Sequence, residues 1–147
     1  MAWHSETWNW IDGEWIAGNP PIMGPRSHAA WQASSVFDGA RVFNNSMPDM
    51  DRHAQRVNES AVKLGLKATM EAGRIVELAR EGAKKFGANA ELYVKPMYWA
   101  EADGPSTIIS DPDSTRFCLC MFVAPMPVPG GSTMTVASFR RPTLETM

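Results

Sequence analysis

The amino-acid sequence predicts an α+β fold in which an antiparallel sheet carries two main helices on one side. The predicted elements are a run of strands, then two helices, then further strands. This order lacks the strict alternation that a parallel α/β sheet requires. The length of 147 residues is enough for one domain with its own apolar core.

The first strands form a predicted hairpin over residues 8–16. Asp12 and Gly13 stand between two aromatic, apolar runs, and this dipeptide suits the positive φ angles of a type I′ turn. The prolines at positions 20, 21 and 25 forbid regular strand pairing and predict a loop. Residues 27–31 are predicted as a short helical turn, and residues 39–45 as a strand that ends in a turn.

Two amphipathic helices are predicted next. Asp49 or Asp51 can cap the first, which runs to residue 64 and ends at Gly65. Thr69 can cap the second, which runs to residue 86. Apolar side chains recur at spacings of three and four, and they predict the buried faces: Ala54, Val57, Ala61 and Leu64 in the first helix, and Ile75, Leu78, Ala79 and Phe86 in the second.

The second half of the chain contains three more predicted strands. Residues 92–99 are interrupted by Pro96, which indicates an edge strand or a bulge. Residues 116–123 form the continuous apolar run of a central strand, and residues 134–139 alternate. The proline- and glycine-rich residues 125–132 are the best candidate for a linker. We therefore predict a small N-terminal domain over residues 1–124, an interdomain linker over 125–132, and the first strand of a truncated second domain over 133–147.

Composition argues against several classes of protein. The formal net charge is −2 and no run of Lys or Arg occurs, so nucleic-acid binding is not expected. No apolar stretch approaches the roughly 18 residues that span a bilayer, and the first ten residues lack a signal-peptide pattern. Cys118 and Cys120 share one face of a strand without further ligands nearby. They are interpreted as small apolar residues of a reduced, cytoplasmic protein, and no metal site is predicted.

Two polar pairs are the candidate binding residues. His53 and Arg56 lie three apart near the start of the first long helix, where the forked guanidinium could hold an anion. The alternative is a solvated arginine. Tyr93 and Lys95 lie on one face of their strand, where a phenol and an ammonium group could hold a carboxylate. The alternative is the exposed face of a half-buried strand. These residues by themselves name no reaction.

Five segments, in order along the chain, together resemble a known family. Residues 34–43, with the sequence S-S-V-F-D-G-A-R-V-F, are similar to the signature S-V-F-E-G-I-R of class IV (fold type IV) pyridoxal-phosphate (PLP) aminotransferases. Residues 53–57 resemble that family's H-x-x-R-L helix start, and residues 92–96 its Y-I-R-P strand. Residues 125–132 fall at its interdomain loop, and residues 136–142 resemble the strand that leads to its PLP lysine. The branched-chain amino-acid aminotransferases are the most similar members.

The resemblance implies a role for several residues. Arg56 would bind the PLP phosphate, Phe37 would line the pocket for the substrate side chain, and Tyr93 and Lys95 would approach the substrate carboxylate. The substrates would be a branched-chain amino acid and a 2-oxo acid, 2-oxoglutarate. Residues 102–107 resemble a loop that reaches into the partner subunit's site, so a homodimer is implied.

Three departures from the family pattern matter. Lys95 stands where the branched-chain enzymes usually have Arg, and Gln32 stands where they often have Tyr, so a D-amino-acid transaminase or a PLP lyase of the same fold remains an alternative. The family's Schiff-base lysine, in a P-T-x-A-K context, is not among the 147 residues. No catalytic residue is therefore predicted in this chain, and the chain alone is expected to be inactive. A non-catalytic binding or dimerisation module is the alternative from another class.

Overall fold

An antiparallel sheet of six strands forms the centre of residues 4–139, the part of the chain that this computed structural model describes. The predicted hairpin is confirmed, because Asp12 and Gly13 both have positive φ angles, of 51° and 95°. The strands are β1 (Thr7–Ile11), β2 (Glu14–Ala17), β3 (Ser35–Phe37), β4 (Ala40–Val42), β5 (Leu92–Ala100) and β6 (Thr115–Val123). Their order across the sheet is β2-β1-β6-β5-β3, and β4 also pairs with β5. The central position predicted for residues 116–123 is therefore confirmed.

Pro96 leaves its own strand, β5, continuous, but it interrupts the neighbouring strand. β3 and β4 pair with β5 in one unbroken register, from Phe37 opposite Met97 to Ala40 opposite Val94. The Asp38 N–H donates to the Pro96 carbonyl at 3.1 Å, but Pro96 has no N–H to return. The prediction that Pro96 marks an edge strand or a bulge is wrong. β5 lies inside the sheet, and the missing donor divides its neighbour into two short strands.

The two long helices pack on one face of the sheet, as predicted. They are α2 (Met50–Lys63) and α3 (Ala72–Ala83), and the short helix is α1 (His28–Gln32). Alternate residues of β5 and β6 meet the long helices in the main core, and the fully buried Val57, Ile75 and Leu78 fill its centre. On the opposite face, Ala29 of α1 packs with Trp99 and Cys118 in a smaller cluster. The predicted α+β architecture is therefore confirmed, with α1 added on the second face.

The prediction that α2 ends at Gly65 is correct, but the prediction that Leu64 lies on its buried face is wrong. Gly65 has φ of 79°, its N–H donates to the Val62 carbonyl, and the Leu66 N–H donates to the Ala61 carbonyl. This pair of hydrogen bonds is a Schellman turn, which carries the chain off the helix axis. Leu64 is consequently 45% exposed, and Leu66, at 4%, occupies the buried position instead.

The predicted start of α3 at Thr69 is also wrong, because the helix begins at Ala72 after Glu71. Long-range hydrogen bonds hold the preceding segment outside the helix. The Lys67 N–H donates to the Thr115 hydroxyl at 3.1 Å, and the Met70 N–H donates to the Tyr98 hydroxyl at 3.2 Å. At α2, Asp49 does occupy the position before the helix, but its side chain makes no capping hydrogen bond.

Residues 124–139 follow β6 without regular secondary structure and are largely exposed. The strand predicted over residues 134–139 is therefore absent, and the remainder of the predicted segment, residues 140–147, lies outside the described residues. A strand needs a neighbouring strand to satisfy its backbone hydrogen bonds, and these residues have none within the described chain. A search of residues 4–139 found no helix with the length and apolar character needed to cross a membrane.

Candidate functional site

The predicted site residues meet around the break in the outer strand, at Phe37, Asp38 and Gly39. Because neighbouring residues of a strand point to opposite faces, this short segment serves both sides of the sheet. Asp38 points toward α2 and has a side chain that is only 5% exposed. Phe37 points to the other face and is 58% exposed.

Arg56 and His53 project from the first two turns of α2 toward the Asp38 carboxylate. Arg56 donates from Nε to Oδ2 at 2.5 Å and from Nη2 to Oδ1 at 2.7 Å, which is a forked ion pair. His53 Nδ1 lies 2.8 Å from Oδ1, and the Gly39 N–H donates to the same oxygen at 2.7 Å. α2 can hold this spacing because Ala54 and Val57, which anchor it in the core, are fully buried.

The electrostatic balance at Asp38 favours the carboxylate. Burial acts to raise the pKa of Asp38, but the hydrogen bonds from Arg56, His53 and the Gly39 N–H act in the opposite direction, together with the charge of Arg56. The net result is a pKa below the ordinary value of 3.8. Asp38 is therefore ionised at neutral pH, and it in turn raises the pKa of Arg56.

Phe37 and Lys95 form a pair on the opposite face of the sheet. The Lys95 ammonium lies 4.5 Å from the centre of the Phe37 ring, which is within the range of a cation–π contact. Lys95 also borders a cavity of about 340 Å³, whose other lining residues are His4, Ser5, Thr7, Asn19, Cys120 and Phe122. The predicted pocket residue and the predicted carboxylate-binding residue thus touch each other.

Tyr93 lies two residues before Lys95, on the same face of β5. Its ring stacks on Phe122 with 5.2 Å between the ring centres. Its hydroxyl lies over Gly39, so closely that a β-carbon built on Gly39 would be 2.0 Å from the phenolic oxygen. The lack of a side chain at Gly39 therefore leaves the space that the Tyr93 hydroxyl occupies.

The structure consequently divides the predicted site into two groups on opposite sides of one strand. Phe37, Tyr93 and Lys95 lie on the open face, and Arg56 lies on the helix face. The residues that join the groups were not assigned a role from the sequence. Gly39 was predicted only as the start of a strand, and both Asp38 and Gly39 belonged to a motif in which they had no assigned function. The signal that could have identified Asp38 is an acidic residue at the end of a strand, followed by a helix that begins with His-x-x-Arg.

Arg41 has a different task from these residues. Its Nη2 donates to the Ala124 carbonyl at 2.5 Å and lies 3.1 Å from the Met126 sulfur. Its guanidinium carbon also lies 5.9 Å from the centre of the Tyr93 ring. Arg41 therefore anchors the chain where it leaves β6 and borders the candidate site.

A model of the family described as amino-transferase class IV matches residues 35–144. The matched segment is most of the chain and contains Phe37, Asp38, Arg56, Tyr93 and Lys95. The chain belongs to the class IV aminotransferase family. Curated relatives of this class IV chain include a probable branched-chain-amino-acid aminotransferase of Rickettsia felis, which is 27% identical over 127 residues, or 86% of this chain and 41% of the relative.

Solved structures of the class IV fold agree with this assignment. An aminotransferase from Brucella abortus, bound to the cofactor PLP, is 48% identical and superposes with a TM-score of 0.94. The alignment covers 97% of this chain and 51% of that one. The branched-chain amino acid aminotransferase from Escherichia coli shares the fold, with a TM-score of 0.67 at 18% identity over 84% of this chain and 41% of that one. The class IV chain thus spans about half the length of the relatives it matches.

Proposed function

We propose that this chain is part of a PLP-dependent aminotransferase that transfers an amino group between a branched-chain amino acid and 2-oxoglutarate. The observation that carries the proposal is the placement of the Asp38–Arg56 ion pair beside Phe37, Tyr93 and Lys95, in a chain of the class IV family. A group suited to an anion and a group suited to a carboxylate lie on the two faces of one strand. This is the pairing that a phosphorylated cofactor and an amino-acid substrate require.

The residues present fit the cofactor phosphate. Asp38 holds the guanidinium of Arg56 through Nε and Nη2, yet the Arg56 side chain is 64% exposed. Within residues 4–139, the Nη1 group of Arg56 makes no hydrogen bond, so it is available to an anion. A planar guanidinium is well suited to phosphate oxygens. When bound, PLP supplies the electron sink that makes the Cα–H bond of an amino acid acidic.

The substrate is placed on the open face by groups of three kinds. Lys95 supplies a positive charge, and Tyr93 supplies a phenolic donor two residues away, so both can hold a carboxylate. Phe37, which is exposed and adjacent to Lys95, offers an apolar surface to a branched side chain. Lys95 keeps a charge at this position but lacks the fork of an arginine, so the carboxylate is oriented less strictly.

The lysine that transfers the proton is proposed to lie outside these 147 residues. Lys95 is committed to the open face of β5, and the remaining lysines, Lys63, Lys67, Lys84 and Lys85, lie at the surface. None of the five lies in the segment that matches the family's lysine. We therefore propose that this chain by itself does not catalyse transamination.

A homodimer is part of the same proposal. The loop over residues 102–111 is tied back on itself, by the Gly104 N–H to the Ile109 carbonyl at 2.7 Å. It nevertheless presents two large apolar side chains, Ile108 at 74% and Ile109 at 59% exposure. Apolar side chains grouped on an ordered loop are typical of a surface that a second subunit covers.

A cytoplasmic location agrees with the free thiols of Cys118 and Cys120.

The experiment that tests the function uses the complete enzyme that carries this chain. L-leucine, L-valine, D-alanine and an aromatic amine are offered with 2-oxoglutarate, and amino transfer is measured for each. We expect transfer from leucine and valine. In Lys95→Met, the KM for 2-oxoglutarate should rise about tenfold, because a hydrogen bond to a charged group is lost.

Lys85→Met is the matched control. The Lys85 ammonium also lies against aromatic rings, 4.6 Å from the Trp8 ring and 5.5 Å from that of Trp15, but on the other side of the sheet. Loss of the Lys85 ammonium should leave the KM values for 2-oxoglutarate and for the amino acid unchanged. Transfer from D-alanine alone would favour a D-amino-acid transaminase. Absence of transfer from every donor, or an unchanged KM in Lys95→Met, would contradict the proposal.

A further inference from the structure

The Asp38 carboxylate makes more hydrogen bonds than the ion pair with Arg56 requires. It is 5% exposed, and it accepts from both nitrogens of the Arg56 fork, from the Gly39 N–H, and contacts His53 Nδ1 at 2.8 Å. Burying a carboxylate has a large desolvation cost, which an ion pair at best offsets. Its partner Arg56 is 64% exposed, and ion pairs with an exposed member add little to stability. Stability alone does not explain this arrangement.

The arrangement does restrict the orientation of the guanidinium. A solvated arginine samples many rotamers, and an anion that binds it must restrict them at a cost in free energy. Two hydrogen bonds to one buried carboxylate remove that freedom in advance. The carboxylate is itself held by a backbone N–H and by His53, so the guanidinium is fixed relative to the sheet.

We propose that Asp38 is a positioning residue, which holds the Arg56 guanidinium in the orientation that receives the cofactor phosphate. This inference rests on the proposed function, because it takes Arg56 to be the phosphate ligand. His53 and the Gly39 N–H belong to the same device, since they hold the carboxylate from two other directions. Asp38 itself does not touch the phosphate.

Removal of the Asp38 carboxylate has two opposite effects on phosphate binding, so the direction of the change in affinity is informative. The negative charge of Asp38 reduces the net charge near Arg56, so its removal alone would strengthen the attraction of a phosphate dianion. Its hydrogen bonds orient the guanidinium, so their removal would weaken binding. Because the Arg56 side chain is 64% exposed, solvent screens the change in charge, and the loss of orientation should outweigh it. Asp38→Asn should therefore bind a phosphate more weakly, although the loss of the carboxylate makes the local net charge more positive.

The experiment compares PLP with pyridoxal, which lacks the phosphate, in the cofactor-free complete enzyme. The ratio of the two dissociation constants reports the phosphate contribution alone. A change that merely loosens the fold weakens both ligands and leaves this ratio unchanged. In Asp38→Asn the preference for PLP should fall about tenfold, because charged hydrogen bonds that orient Arg56 are lost. In Asp38→Glu, which restores the carboxylate, most of the preference should return.

Asp12→Asn is the matched control, because it removes an arginine partner elsewhere. Asp12 accepts from Arg116 at 2.5 Å in the β1–β2 turn, at a position where Asn is equally suited to the positive φ. The preference for PLP should not change. If Asp38→Asn does not fold, His53→Ala provides a graded test, with an expected fall of about threefold from the loss of one contact to the carboxylate.

The outcomes separate the inference from the proposed function. If the unmodified enzyme binds PLP no more tightly than pyridoxal, or if Arg56→Met, which removes the charge, leaves the preference intact, then Arg56 is not the phosphate ligand and the proposed function fails. If Arg56→Met removes the preference but Asp38→Asn retains or strengthens it, only the positioning role is overturned. An unchanged preference in His53→Ala, with an unfolded Asp38→Asn, also overturns it.

Discussion

Gly39→Ala is the substitution whose effect the structure defines most sharply. The added β-carbon would lie 2.0 Å from the Tyr93 phenolic oxygen and 2.8 Å from the ring carbon that carries it. Ordinary contact begins at 3.4 Å, so the hydroxyl or the strand must move by about 1.4 Å. Tyr93 cannot rotate away freely, because its ring is stacked on Phe122.

The expected cost follows from this displacement. Overpacking of this kind destabilises a fold by about 1–3 kcal/mol. If Tyr93 holds the substrate, a shift of about 1 Å should also lower kcat/KM on the order of a hundredfold. The assay is urea unfolding of the complete protein, together with amino transfer from leucine. Tyr93→Phe in the same chain should recover part of the lost stability, because the closest atom is removed and the contact at 2.8 Å remains.

Gly73→Ala is the control for the glycine substitution itself. Gly73 lies in the first turn of α3, and a β-carbon added there would have no neighbouring atom within 4 Å, so alanine should raise stability by up to about 1 kcal/mol. The reasoning is refuted if Gly39→Ala is as stable as Gly73→Ala. It is also refuted if the loss in Gly39→Ala is the same with phenylalanine at position 93, since the hydroxyl would then not be the obstacle.

Three further results are expected from the described side chains. The stability difference between the unmodified protein and Asp38→Asn should be constant above about pH 5 and shrink below pH 3.8, because the lowered pKa of Asp38 stabilises the fold only while the carboxylate is ionised. Urea midpoints measured across pH test this, and a difference that does not change with pH would show that the pair does not contribute. Burial raises the pKa of Tyr98 to about 12, so ultraviolet absorbance in the folded protein should show this phenol ionising only near that value, and an ordinary titration would contradict its burial. Burial also raises the pKa of Cys118 to about 12, so iodoacetamide should label the less buried Cys120 first. Peptide mass analysis would show the order of labelling, and equal labelling of the two thiols would mean that β6 is open to solvent.

The fold was predictable wherever local patterns agree with the final packing. The β1–β2 hairpin follows from Asp12-Gly13, and the buried faces of α2 and α3 follow from apolar spacing. The errors occurred where a distant residue decides the local structure. The start of α3 depends on hydrogen bonds from the segment before it to Thr115 and Tyr98, which lie more than twenty positions away. β3 was not predicted because three residues carry too little pattern.

The candidate site was predictable as a set of residues and not as an arrangement. Arg56, Phe37, Tyr93 and Lys95 were all identified from motifs, and the structure places them around one strand. The sequence did not indicate that Arg56 lies on the opposite face from the other three. It also did not indicate that Asp38 and Gly39 connect them, since their contacts join α2 and β5 to a third segment of the chain.

The sequence by itself determined the fold class, the two amphipathic helices, the class IV family and the residue types of the site, because each is recorded in neighbouring positions or in short motifs. Only the tertiary structure decided that β5 is an inner strand despite Pro96, and that the break beside it becomes the meeting point of Asp38, Arg56 and Tyr93. The physical reason is that a missing backbone donor has its effect on the neighbouring strand. The identity of that strand depends on sheet pairing, which no local pattern contains.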